Sequence, residues 1–213
     1  MEPMSRTERA ALCNAALEAG EDAPTLCGSW TVKDLVIHLL VRERDPLGAP
    51  GIVVPKLEGL TRRSSRRLAG QDFSSLVERV RSGPPKWSPL SLPPLERAVN
   101  VLEYFVHHED IRRAAAGWQP RELTEREQKA IWKSIAISGK GLVRPVNAPV
   151  EIRWAGDERG RSVALRKGDD PVVVTGAPAE LALFLFGRDQ HAGLEFSGAE
   201  TSLAALHEAR LGF

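Results

Sequence analysis

With 213 residues, 42% of them hydrophobic and 27% charged, the chain is long enough to bury a core without disulfide or metal staples. Its 29 Lys and Arg against 28 Asp and Glu leave a formal charge of +1, so the overall balance gives no electrostatic reason to expect nucleic acid or an anionic membrane as partner. The two cysteines, Cys13 and Cys27, fall in no CxxC or zinc-ribbon spacing, and no apolar run reaches the ~20 residues of a membrane span or forms a leading signal segment; reduced thiols and a cytoplasmic address are expected.

From Ser5 to about Lys140 the pattern is helical. Ser5 with Glu8 has capping-box spacing, for a helix that runs to Glu18 and stops at Gly20. Thr31 with Asp34 marks a second start, with Trp30 placed to staple onto Leu35, and predicts a helix over 32–44. The segment 45–56, DPLGAPGIVVPK, reads as a long loop of the kind that faces ligands. Helical patterns resume at 57–69 and 72–82, break at the SGPP of 82–85, and stay broken to Pro94. Pro94 suits a first helical position, and no further Pro or Gly occurs until Gly117, which predicts the longest helix from Pro94 to Ala116. A last helix over 125–138 opens with Thr124 and Glu127.

Beyond Arg144 the period changes. VEIRWAG, SVALRKG and PVVVTG are short, β-branched and punctuated by Gly and Asp, as strands joined by turns are. Pro178 opens a helix through Leu185 that ends at Gly187, followed by a strand near 194–196 and a terminal helix over 202–209. The fold class is α+β: a helical bundle over 1–143, then a small α/β domain over 144–213.

Helix 32–44 is apolar nearly all round, yet His38 sits in its middle. An unpartnered buried imidazole costs on the order of 1–3 kcal/mol, so His38 is hydrogen-bonded or metal-bound. In the long helix Asn100, Glu103, His107 and Asp110 recur at spacings of 3, 4 and 3 and form one polar line in an apolar wall. Glu103 and His107 lie one turn apart and can converge on one ion, with His38 the natural third ligand; two imidazoles and a carboxylate suit zinc and related divalent metals. A metal-free polar network, with Glu103 accepting from Asn100 or His107, explains the same pattern. His108 is rotated ~100° from His107 and is expected near the surface beside Glu109, Arg112 and Arg113. His191 and His207 read as surface residues. Arg62, Arg63, Arg66 and Arg67 paint one helical stripe, a solvated face or a holder of phosphate or carboxylate.

The segments TLCGSWTVKDLVIHL and VNVLEYFVHHEDIRRA resemble the two signatures of the mycothiol-dependent maleylpyruvate isomerase family, itself similar to DinB-like metal-binding bundles. The resemblance implies an up-and-down helical bundle holding a divalent metal through a His on helix two and a Glu-x-x-x-His pair, which fall on His38, Glu103 and His107. It also implies a small α/β C-terminal domain whose Gly-Arg after a helix falls on Gly187 and Arg188, with Arg188 anchoring substrate. Mycothiol is then the cosubstrate, added or transferred to a small electrophile at the metal. Asp110 and Asn100 would orient His107 or a bound water, and Arg188 or the arginines of 62–67 could hold a carboxylate. The competing expectation is a non-catalytic metal-binding or ligand-sensing module. Either serves small molecules, in a monomer or homodimer.

Overall fold

The computed structural model describes residues 2–88, 91 and 100–212, with the backbone alone of Val53. The chain divides into two compact units, Met1–Gln119 and Pro120–Phe213.

The first unit is helical: α1 (Met4–Ala19), α2 (Val32–Arg44), a short α3 (Pro50–Val53) with a 3-10 turn at Pro55–Leu57, α4 (Glu58–Ala69), α5 (Phe73–Arg81) and α6 (Val101–Arg112). Its core draws Leu12, Cys13 and Ala16 from α1, Leu35, Leu39 and Leu40 from α2, and Leu76, Val77 and Val80 from α5, together with Tyr104 and Ile111 of α6. Thr31 caps α2 as expected: its side chain accepts from the Asp34 N–H, and Asp34 returns the bond to the Thr31 backbone. The long loop at 45–56 is shorter than expected because Pro50 starts α3, and Pro55 the 3-10 turn.

Two local expectations change. The capping spacing of Ser5 and Glu8 is not used as a cap: α1 begins at Met4, and both side chains are buried within it. Glu8 instead meets His108 Nδ1 at 3.0 Å, which also moves His108 from the expected surface to a site only 6% exposed. The expected helix 94–116 ends at Arg112; Arg113 is drawn back onto Glu109 (2.5 Å), its guanidinium lies 4.5 Å over the Trp118 ring, and the chain turns there. The predicted start at Pro94 lies outside the described residues.

The second unit contains α7 (Glu125–Leu142), β1 (Val150–Trp154), β2 (Ser162–Arg166), β3 (Val172–Gly176), α8 (Pro178–Leu185), β4 (Glu195–Ser197) and α9 (Glu200–Glu208). Its described strands form one sheet in the order β2-β1-β3-β4, with β1 parallel to β3 and antiparallel pairs at both flanks. Thr124 and Glu127 form the expected capping box. The helix runs one turn past the expected 138, through Gly139 and Gly141, because Gly139 lets Leu165 of β2 approach: a Cβ there would stand 2.9 Å from Leu165 Cδ2. The sequence drew its boundary at 143/144; in the structure α7 packs on α8 and β2 and belongs with the sheet. Ile152, Val172, Val174, Leu181 and Leu183 are fully buried and make this unit's core apolar.

Candidate metal centre

Helix α2 buries Leu35, Val36, Ile37, Leu39, Leu40 and Val41 to within 3% exposure. His38 is the polar interruption, and it faces the line that α6 presents. Its Nε2 lies 3.2 Å from Glu103 Oε1, and His107 Nε2 lies 3.4 Å from the same oxygen. One ligand atom from each of the three residues falls within 4.8 Å of the others. Zinc held at its usual ligand distances separates neighbouring tetrahedral donors by about 3.3 Å, so the two His–Glu edges fit a small divalent ion. The three side chains are 11–15% exposed.

The surroundings orient these donors. His107 Nδ1 donates to Asp110 Oδ2 at 2.8 Å, which turns Nε2 toward Glu103 and His38. Asn100, expected to orient His107 or a bound water, accepts from Arg42 Nη1 at 2.9 Å, and Arg42 Nε lies 3.3 Å from Glu103 Oε1. The Trp30 ring, expected to staple onto Leu35, lies 5.1 Å from the His38 ring. Sequence reasoning missed two neighbours. Arg42 is one turn beyond His38 and shares its face, a spacing that could have drawn attention to it. Cys27 lies in the loop before α2, its Sγ 3.0 Å from Asp110 Oδ2 and 3.8 Å from His107 Nδ1; no local signal marks it.

The charges are settled by this geometry. Burial pushes the Glu103 carboxyl up, but the Arg42 guanidinium and hydrogen bonds from both imidazoles outweigh it and hold the group well below the usual carboxylate range. Burial lowers His107, yet hydrogen bonding to Asp110, Cys27 and Glu103 carries it well above an ordinary imidazole. Burial wins at His38, which is lowered despite its bond to Glu103. These directions favour the ionised form of Glu103, the protonated form of His107 and the neutral form of His38. His38, Glu103 and His107 would hold a divalent ion here, and His107 would bind it through a deprotonated Nε2.

Arg188 lies in the second unit just after α8, where its Nη1 donates to the Phe186 carbonyl at 2.5 Å. It follows Gly187, whose φ of +74° takes it through a turn that a Cβ would obstruct, 2.3 Å from the Leu211 carbonyl oxygen. Arg62, Arg63, Arg66 and Arg67 are exposed on α4, with Arg62 paired to Glu58 and Arg67 to Asp45. His207 is exposed and His191 half-buried, and their rings lie 5.6 and 6.4 Å from that of Phe196.

Residues 4–86 match the family model described as the mycothiol maleylpyruvate isomerase N-terminal domain. Two crystal structures of the mycothiol-dependent maleylpyruvate isomerase resemble the whole chain. A single-site histidine-to-alanine mutant aligns with TM-score 0.58 at 13% identity, and a second structure with TM-score 0.54 at 14% identity; each alignment covers 91% of this chain and 90% of the other. No curated protein matches significantly. At such identities the structural likeness speaks for the fold. The chain therefore has the maleylpyruvate isomerase fold, and its N-terminal segment is similar to the mycothiol maleylpyruvate isomerase N-terminal domain.

Proposed function

We propose that this protein is a metal-dependent enzyme that uses a low-molecular-weight thiol, mycothiol being the one its family name carries, to transfer onto or isomerise a small electrophile in the cytoplasm. The observation that supports this most is the convergence of His38, Glu103 and His107, with ligand-atom separations that fit one divalent ion, zinc by donor chemistry. Two nitrogens and one carboxylate leave room for an exogenous ligand, unlike the closed four-ligand sets of structural zinc. When bound, the ion supplies a positive centre that makes a thiol acidic at neutral pH and polarises a carbonyl.

The chain's own residues do the rest. Asp110 holds the His107 ring so that Nε2 faces the site. Arg42, already against Glu103, places a guanidinium where an anionic substrate group can be met. Arg188 keeps the role the resemblance gives it, a guanidinium for a substrate carboxylate.

The test is thiol transfer and isomerisation by zinc-loaded protein, with mycothiol and a panel of small electrophiles that includes maleylpyruvate. Turnover lost in Glu103→Ala, and a raised KM in Arg188→Ala with kcat retained, is the expected result. Wild-type protein that binds metal but turns over none of the panel would favour a metal-binding or sensing module instead.

A further inference from the structure

The loop between α1 and α2 is built to hold one sulfur in place. Val32 N–H donates to the Ala23 carbonyl at 2.9 Å, Thr25 bonds Trp30 through both its N–H (3.2 Å) and its hydroxyl (2.9 Å), and Pro24 bridges Thr31, so the loop closes on itself. Gly28 makes the turn at φ +64°. Leu26 N–H then ties the loop to α6 by donating to the Asp110 carbonyl at 3.1 Å, and Cys27 N–H is fixed on Thr25 Oγ1 at 3.2 Å. The result is a thiol aimed at the Asp110 carboxylate.

Both donors meet on one atom. Asp110 Oδ2, in a residue with no exposed surface, accepts from His107 Nδ1 at 2.8 Å and from Cys27 Sγ at 3.0 Å. Cys13, by contrast, is a thiol of the hydrophobic core that burial pushes up to about 11, and its Sγ donates to the Val77 carbonyl at 3.7 Å. The two cysteines therefore differ in kind: one fills space, and the other is held by a hydrogen-bonded loop against the carboxylate that orients a candidate ligand's ring.

We propose that Cys27 is a positioning residue for the metal centre: its thiol pins the Asp110 carboxylate, and through it the rotation of His107, so that Nε2 is presented to the ion. This rests on His38, Glu103 and His107 being the ligands. A thiol is a weak donor, so its removal falls at the lower end of the roughly 10- to 100-fold loss of metal affinity that follows loss of an orienting partner.

The experiment measures zinc affinity by competition with a chromophoric chelator for wild type, Cys27→Ala, Cys27→Ser, Asp110→Ala and the Cys27→Ala/Asp110→Ala double variant. Cobalt spectra and imidazole 15N correlation spectra of the metal-free proteins accompany it. We expect about a 10-fold weaker Kd in Cys27→Ala, recovery toward wild type in Cys27→Ser because the hydroxyl still donates, and no additional loss in the double variant. The His107 ring resonances should move in Cys27→Ala while those of His191 and His207 stay. An unchanged Kd and an unmoved His107 ring would overturn the proposal, as would equal losses with and without Asp110. A thiolate-to-cobalt charge-transfer band that vanishes in Cys27→Ala would also overturn it, since the sulfur would then be a ligand. If wild type takes up no metal, the metal reading fails by itself, and the His107 ring spectrum still decides whether Cys27 sets that ring.

Discussion

The two units solve the burial problem in opposite ways. In the second, Ile152, Val172, Val174, Leu181 and Leu183 meet in an apolar core between the sheet and its helices. In the first, the central helix α6 is buried along nearly all its length yet carries Glu103, Tyr104, His107, His108, Glu109 and Asp110. Four of these are matched from another helix or loop, Glu103 by His38 and Arg42, Tyr104 by Arg9 and Glu43, His108 by Glu8 and Asp110 by Cys27, while Glu109 pairs with Arg112 and Arg113 one turn on and His107 with Asp110. A core built only for stability has no need of so many compensated groups. The polar seam carries the proposed site, and the second unit shows the same chain burying a mainly apolar core.

Breaking one member of each core sharpens this contrast. Arg9→Met strands the buried Glu43 carboxylate, which burial already pushes up, and should cost about 3–5 kcal/mol by denaturant unfolding near neutral pH. In the second unit the comparable lesion is a cavity: Ile152→Ala should cost about 2–5 kcal/mol. Lowering the pH should soften the first penalty, because Glu43 can protonate, and leave the second untouched. If both variants respond to pH alike, the contrast fails.

The seam should also give the metal-free protein a distinctive pH profile. His107 is held above its ordinary 6.5, so its contribution is complete below about pH 6.5 and is lost as pH rises through the raised folded value. His38 is held below 6.5 and Glu103 below 4.5, so their contributions are lost as pH falls through the lowered folded values. Together these three favour the fold most near pH 6.5. A falling limb of the unfolding midpoint above that pH should be present in chelator-treated wild type and absent in His107→Gln. Zinc should remove it too, since coordination takes the imidazole's proton.

The smallest effects should be equal in the two units. Thr31→Ala and Thr124→Ala each remove the side chain of a complete capping box and should each cost about 0.5–2 kcal/mol in thermal or denaturant unfolding. A much larger loss at Thr31 would mean that the cap also sets the position of the loop holding Cys27.

What could be read from residues alone follows the same division between local and distant causes. The Thr31 and Thr124 boxes, the strands of the second unit and the turn at Gly187 are decided within a few residues, and their patterns say so. Glu103 and His107 were legible because helical spacing is itself local, and His38 because a histidine inside an apolar helix demands an explanation. Ser5 and Glu8 misled because a spacing that suits a cap also suits a helix interior when the acid has a partner such as His108, a hundred residues away. Arg42 and Cys27 stayed hidden for the same reason: their roles are defined by Glu103 and Asp110, which reach them only through the fold.

The central claim is the ion held by His38, Glu103 and His107, and elemental analysis tests it most directly. Protein purified without added metal or affinity nickel, and again after reconstitution with zinc, should be measured beside His38→Ala, Glu103→Ala and His107→Ala. Close to one divalent ion per wild-type chain, lost in all three variants, is the expected result. A wild-type chain that remains metal-free after reconstitution, or variants that retain the ion, would contradict the claim and leave the seam as a buried polar network.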